Sequence, residues 1–328
     1  MNPLPLAHRR RALGIGLAGA LLATLGTAQA QDYGSRPLTI VVPFAAGSGT
    51  DTQARIVGQA LASEYKITVL VENKAGANGF IAAQHVARAA PDGHTVLMTT
   101  NTTHAANEHL FKKLPYDPVK DFTPVTLLGL GYMYLVVAQD SPVKTVADLV
   151  AAARKAPGKL NFGSGSSSSR VGSEMLKQLA GLDVAHVPYK SNPLAVTDLI
   201  GGQINFMFLD APTAMPHLNG GKLRALAVSG TTRMQATPSV PTAEEAGVKG
   251  FDVSYWFAVY APPGLPAAMT QRLNQMFIKA SLAPEVKQLQ ERSSAVAATS
   301  TPEELARFQA AESLKWGKVI KAAGIEPE

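Results

Sequence analysis

Residues 38–58 read L-T-I-V-V-P-F-A-A-G-S-G-T-D-T-Q-A-R-I-V-G. The β-branched and apolar run Thr39 to Val42 predicts a buried strand, and Pro43 ends it because proline has no N–H to give to a ladder. Phe44-Ala45-Ala46-Gly47-Ser48-Gly49 is a turn of mostly small residues, which lets backbone lie close to a ligand. Thr50 or Asp51 is a suitable N-cap, and Val57, Ala60 and Leu61 give the following segment a helical apolar face. Strand, tight turn and helix start together form an anion site, because first-turn N–H groups have no intrahelical partner and the helix dipole is positive there. Most such turns in α/β proteins bind nothing, so the weight falls on whether the device recurs.

It recurs. Downstream, strands at 67–72 and 94–100 flank a helix reaching about Arg88, a βαβαβ order that predicts a parallel sheet with ligand groups at the strand C-termini. The third strand ends in the polar run Thr99-Thr100-Asn101-Thr102-Thr103, with a helix expected near His104. Leu160-Asn161-Phe162 then reads as a short strand, followed at once by Gly163-Ser-Gly-Ser-Ser-Ser-Ser169 and by a helical pattern from Val171. This second device is rich in hydroxyls and backbone donors; a strand before it and a helix after it argue against a Gly/Ser linker. Two long strands, 125–138 and 253–260, read as passages between domains. Short caps are expected at Thr145, at Thr242-x-x-Glu245 and at Thr301-Pro302-Glu303-Glu304, the last opening a final helix against the first domain.

The candidate ligand-binding residues are Phe44, Ala46, Gly47, Ser48, Gly49, Thr50 and Asp51 from the first device, Thr102 from the polar strand end, Ser164, Gly165, Ser166, Ser167 and Ser168 from the second, and Asp210. Asp210 ends an apolar strand just before Pro212. It is either an acceptor for a ligand amine, hydroxyl or ring nitrogen, or a helix N-cap.

Residues 1–30 read as a leader: His8-Arg9-Arg10-Arg11, an apolar stretch from Ala12 to Gly26, and Ala28-Gln29-Ala30 as the cleavage site after Ala30. The G-x-G-x-x-G at Gly14, Gly16 and Gly19 falls in that stretch and follows no strand, so it is not a dinucleotide fingerprint. The formal charge of +6 falls to +3 once the leader's three arginines are removed. A mild basic balance with no basic run excludes nucleic acid and suits small anions. With no cysteine, there is no disulfide, thiolate metal site, cysteine nucleophile or lipid-anchored cysteine. No later apolar stretch spans a bilayer, so no direct membrane insertion is expected.

Enzyme signatures are missing. There is no G-x-S-x-G elbow, no P-loop and no H-E-x-x-H, and no histidine stands at metal-ligand spacing from a carboxylate. His104 and His109 read as surface or capping groups, and His186 as a satisfied core histidine. Tyr255 and Trp256 read as packing. No cofactor and no metal are expected. The competing reading is a secreted Ser-dependent hydrolase using Ser166–Ser169, which would lack a base.

Several segments carry a resemblance. Val42-Pro-Phe-Ala-Ala-Gly-Ser-Gly-Thr-Asp51, Glu72-Asn-Lys-Ala-Gly76 with Ala89-Ala-Pro-Asp-Gly93, Leu114-Pro-Tyr-Asp-Pro118 with Lys120-Asp-Phe-Thr-Pro124, Asn161-Phe-Gly-Ser164, His186-Val-Pro-Tyr-Lys190, Thr197-Asp-Leu-Ile-Gly-Gly-Gln203 and Gly221-Lys-Leu-Arg-Ala-Leu-Ala-Val228 together resemble the Bug-type periplasmic receptors of the tripartite tricarboxylate transporter family. The resemblance implies an α/β, two-domain periplasmic binding protein-like fold (type II) with two crossing strands as hinge. Domain 1 would be residues 31–130 plus 252–328, and domain 2 residues 131–251. It further implies that the two loops hold a small organic carboxylate between them, for delivery to inner-membrane transporter subunits or a sensor kinase by a monomeric receptor. The chain departs from the family pattern at Gly47-Ser48, at a shorter Ser-rich loop with Arg170, at Ser191-Asn192 after Lys190, and at Leu209-Asp210, where the Asp is one place late.

Overall fold

A computed structural model describes residues 36–328, and the leader expected over residues 1–30 lies outside the described residues. Strand β1 (Leu38–Val42) is flanked by two parallel neighbours, reached through helix α1 (Gly49–Tyr65), β2 (Val69–Asn73), α2 (Phe80–Ala87) and β3 (Thr95–Thr100). This is the βαβαβ unit the sequence predicts. Helix α1 buries Ala54, Val57, Ala60 and Leu61 at helical spacing against that sheet. After β3 the chain enters a π-helical turn, Thr102–Ala106, and then the short helix α3 (Asn107–Leu110).

The chain continues through β4 (Thr123–Ala138), α4 (Val146–Lys155), β5 (Asn161–Ser164), α5 (Ser167–Ala180), β6 (Ala185–Pro188), α6 (Asn192–Ile200), β7 (Met207–Asp210), α7 (Ala211–Asn219), β8 (Leu223–Val228) and β9 (Ser254–Ala261). It ends in α8 (Ala267–Ser281), α9 (Pro284–Arg292) and α10 (Pro302–Ala322). The sheet order is β2-β1-β3-β9-β4, with β9 antiparallel to both neighbours. Strand β4 then changes partners. As far as Tyr132 it pairs with β9; from Met133 onward it pairs with β7 and β8. One strand thus belongs to both halves of the sheet. Its pairing with β9 slips beside Gly129, whose φ of 152° favours glycine. Strands β5 and β6 form a separate parallel pair.

The core divides accordingly. A small cluster (Tyr134, Val136, Leu199, Ile204, Met207, Leu209, Val228 and neighbours) packs around the second half of β4, and a larger one fills the rest. Helix α10 closes the first half: the chain's two tryptophans, Trp256 and Trp316, both donate their indole N–H to Oε2 of buried Glu312, at 3.1 and 3.2 Å. Among the described residues no helix is long and apolar enough to cross a membrane.

Helix α1 is capped by Ser48 and not by Thr50 or Asp51, which lie inside it, because the Ser48 Oγ accepts from the Asp51 N–H. Three further expectations need correction. Helix α5 begins at Ser167, inside the stretch read as loop, because Ser166 caps it. Thr242 and Glu245 make the reciprocal capping bonds, 2.8 and 3.0 Å, yet the chain forms only a turn there. His104 is neither surface nor cap: it is fully buried in the π-helical turn, stacked at 3.8 Å on Tyr260, with Nδ1 2.8 Å from Thr103 Oγ1. Burial pushes its pKa down to about 3.

Candidate functional site

The turn after β1 is locked by its own side chains. Ser48 is the N-cap of α1, its Oγ accepting from the Asp51 N–H at 3.2 Å. Gly47 takes φ 80° and donates its N–H to Asp51 Oδ2 at 2.9 Å, while Asn73 Nδ2 donates to Asp51 Oδ1 and Arg55 pairs with the same carboxylate. Burial raises the Asp51 pKa, but the bonds from Arg55, Gly47 and Asn73 outweigh it and hold the carboxylate below its usual range. Asp51 therefore shapes the turn.

The Ser-rich stretch is built likewise. Ser166 caps α5 and accepts from Ser169 N–H at 3.3 Å; Ser167 Oγ donates to Asn107 Oδ1, and Ser168 Oγ meets the Asn101 amide at 2.9 Å. Gly165 donates its N–H to Asn192 Oδ1, and a Cβ on Gly165 would collide with the Ser191 backbone. Asp210 caps α7, with Oδ1 accepting from Thr213 Oγ1 at 2.7 Å and Thr213 N–H at 3.1 Å. Two bonds join the first turn to these elements: Ala45 N–H to Ser191 Oγ, 3.1 Å, and Gly49 N–H to Thr213 Oγ1, 2.8 Å.

Between them lies a narrow cavity of about 20 Å³, room for about one water. Four helix N-termini supply its walls: Ser48, Gly49 and Thr50 from α1, Ser166 and Ser168 from α5, Ser191 and Asn192 from α6, and Asp210 from α7. Phe44, Thr100, Met133, Tyr255 and Phe257 complete it. The lining contains no Lys, Arg or His. Burial raises the Asp210 pKa, against the lowering effect of its bonds from Thr213 and Asn192.

Seven of the expected residues line this cavity: Phe44, Ser48, Gly49, Thr50, Ser166, Ser168 and Asp210. The others do not. Ala46 and Gly47 are exposed, Asp51 and Gly165 hold the turns, and Ser167 N–H bonds Thr102 Oγ1 at 3.3 Å. Ser164 Oγ lies 2.7 Å from His186 Nε2, so the histidine is satisfied by a serine that sequence spacing did not pair with it. Burial first, then the positive charge of Arg170, brings the His186 pKa down to about 4. Arg170 pairs with Glu328, away from the cavity lining. Sequence reading missed Thr100, Met133, Ser191, Asn192, Tyr255 and Phe257; Ser191-Asn192 carried a signal, as a departure from the family pattern. Among the described residues no group of His, Cys, Asp and Glu is placed to hold a metal ion.

A cavity enclosed by helix N-termini, where a shared strand joins two halves of a sheet, defines the class: a two-domain α/β periplasmic binding protein. Comparison with solved structures agrees. The periplasmic binding protein BugD superposes with a TM-score of 0.85 at 29% identity, covering 89% of this chain and 99% of its own. An R. palustris protein with adipate gives 0.86 at 33%, covering 90% and 99%. MatC from Rhodopseudomonas palustris with bound malate gives 0.81 at 33%, covering 87% and 99%. The family described as "Tripartite tricarboxylate transporter family receptor" matches residues 53–325, and the chain belongs to it. Its members and structural neighbours are solute-binding receptors, and this chain is a receptor and not an enzyme.

Proposed function

We propose that the protein is a periplasmic receptor that captures a small organic carboxylate in the cavity between its halves and delivers it to the inner-membrane subunits of a tripartite tricarboxylate-type transporter. The observation that carries this reading is the convergence of four helix N-termini on a cavity without a cationic side chain. Such a site meets an anion with backbone N–H groups and hydroxyls, and charge-assisted hydrogen bonds replace the water it gives up. Two of the similar proteins are described with adipate and with malate, both carboxylates. The ligand contacts are Ser48, Gly49, Thr50, Ser166, Ser168 and Asp210, with Phe44 as an apolar wall.

Domain 1 comprises residues 31–130 and 252–328, domain 2 residues 131–251, and β4 and the approach to β9 are the hinge. Ala45 N–H to Ser191 Oγ and Gly49 N–H to Thr213 Oγ1 already bridge the cleft, so ligand entry parts these contacts and capture closes the halves on the ligand. Residues 1–30 direct export and are cut after Ala30. The test is a thermal-shift screen of the mature protein against mono- and dicarboxylates, aromatic acids and amino acids. Members of the carboxylate set raise the melting temperature, and small-angle scattering gives a smaller radius of gyration with the best of them. A screen in which only uncharged solutes stabilise the protein overturns the reading.

A further inference from the structure

Arg170 directly follows the Ser-rich stretch in sequence, yet it does not line the cavity. It stands at the end of the first turn of α5, where a positive charge opposes the helix dipole. Helix stability therefore does not account for it. Its Nη1 meets Glu328 Oε1 at 2.5 Å, and Glu328 is the guanidinium's only hydrogen-bonded partner among the described residues. The arginine side chain is 18% exposed, so its end of the pair is largely out of water, where Coulomb attraction is stronger.

The two residues are anchored in different halves. Glu328 is fixed to residues 110–112: its N–H donates to the Leu110 carbonyl at 3.0 Å, and its carbonyl accepts from Lys112 N–H at 2.9 Å. Ala323 and Ile325, just before it, are buried. Arg170 rides on α5, whose Ser166 and Ser168 line the cavity. Ser167, three residues earlier and on the same face, bonds Asn107 Oδ1 and Thr102 Oγ1. Further along α5, Gln178 lies against Gly324. One face of α5 is thus laid against the first half, and parting the halves moves Arg170 away from Glu328. The other contacts across the cleft, Ala45 to Ser191, Gly49 to Thr213, Ser167 to Asn107 and Ser168 to Asn101, are hydrogen bonds between uncharged groups. Salt screens a charge pair and leaves such bonds nearly untouched.

We propose that Arg170 and Glu328 form a clasp that holds the cleft closed from outside the ligand site, so that the balance between open and closed receptor depends on ionic strength. Opening separates the pair, and closure reunites it behind the ligand. Arg170 is therefore a positioning residue for capture and makes no contact with the ligand. The inference rests on the two-domain reading above and adds to it a charged latch.

The cleft supplies its own reporters. Ala45 N–H and Gly49 N–H donate across it, and Gly49, in the first turn of α1, has no intrahelical acceptor to protect it. Their amide hydrogen exchange measures how often the cleft opens, while Ile40 in the buried strand β1 reports global unfolding. The mature protein is compared, without ligand, with Glu328→Gln, Arg170→Gln and the charge swap Arg170→Glu with Glu328→Arg. At low salt each single variant speeds exchange at Ala45 and Gly49 about two- to five-fold and leaves Ile40 unchanged. The swap restores slow exchange. Raising sodium chloride to about 1 M, where charges are screened beyond about 3 Å, speeds exchange in the wild type and not in the single variants. Wild-type exchange that ignores salt overturns the clasp, as do single variants that match the wild type or that speed Ile40 equally, and a swap that fails to restore protection. If one variant does not fold, the salt series and the other single variant decide. If Ala45 and Gly49 exchange only when Ile40 does, the cleft never opens; the two-domain capture reading then falls, and the inference with it.

Discussion

Two glycines of the first turn look equivalent in sequence and are opposite in structure. Gly47 has φ 80° and open space where a Cβ would go, so its constraint is backbone conformation alone. Gly49 has ordinary φ but no room, because a Cβ there meets Asp210. The small residues of the turn let backbone approach closely, and at Gly49 that approach is to Asp210. Gly47→Ala should lower stability by about 1–2 kcal/mol, the cost of a left-handed non-glycine residue, with ligand affinity nearly unchanged. Gly49→Ala should instead hold the halves apart and weaken binding about ten-fold or more, with a smaller effect on unfolding. Urea unfolding and calorimetry on the pair separate the two, and equal losses of affinity would sink the distinction. Asp210 was legible as two alternatives, cap or ligand acceptor. Its Oδ1 serves as the cap through the two bonds from Thr213, and its Oδ2 faces Asn192 Nδ2 at 3.4 Å.

The helix starts at Thr145 and Thr301 were legible, because a cap is a local event, whereas those of α1 and α5 fall at Ser48 and Ser166, away from the expected positions. Thr145 and Thr301 both form full capping boxes, with Asp148 and Glu304 reaching back to the cap N–H. Thr242 shows the limit of that signal: the same reciprocal bonds close a turn that no apolar periodicity extends into a helix. The Ser run shows the converse, since serine is a poor helix former by propensity. Ser167, Ser168 and Ser169 are nonetheless helical because each hydroxyl finds a buried partner, in Asn107, Asn101 and the Phe208 carbonyl, which only the folded chain supplies. Thr301→Ala should cost about 1 kcal/mol in urea unfolding and leave affinity untouched, since α10 starts far from the cavity lining. A loss of binding in that variant would mean that α10 takes part in the site.

At the scale of the whole molecule, the parallel βαβαβ unit and the long strand 125–138 were readable, because periodicity and length survive in one dimension. The cavity's far wall was not. Tyr255 and Phe257 reach it from β9, and nothing in their apolar stretch distinguishes a lining face from a packed one. The fold also sets an acid limit. His104 and His186 are held neutral, with pKa values pushed down to about 3 and about 4, against an unfolded value near 6.5. The unfolded chain binds those protons first, so their contribution to stability is complete above about pH 6.5 and is lost progressively as pH falls toward the folded values. His104→Phe should flatten the decline of unfolding free energy between about pH 6.5 and 4.5 by up to about 1.4 kcal/mol per pH unit. An unchanged slope would show that His104 titrates normally. Finally, β9 stands between β3 and β4 in the sheet, so Thr100 must wait for Phe257 and Leu130 for Trp256. A chain that emerges from its N-terminus leaves that edge of β3 empty until Ser254–Ala261 have followed. Sheet pairing in the first half is therefore completed late, and until then the unfilled slot is an unpaired strand edge, open to non-native pairing.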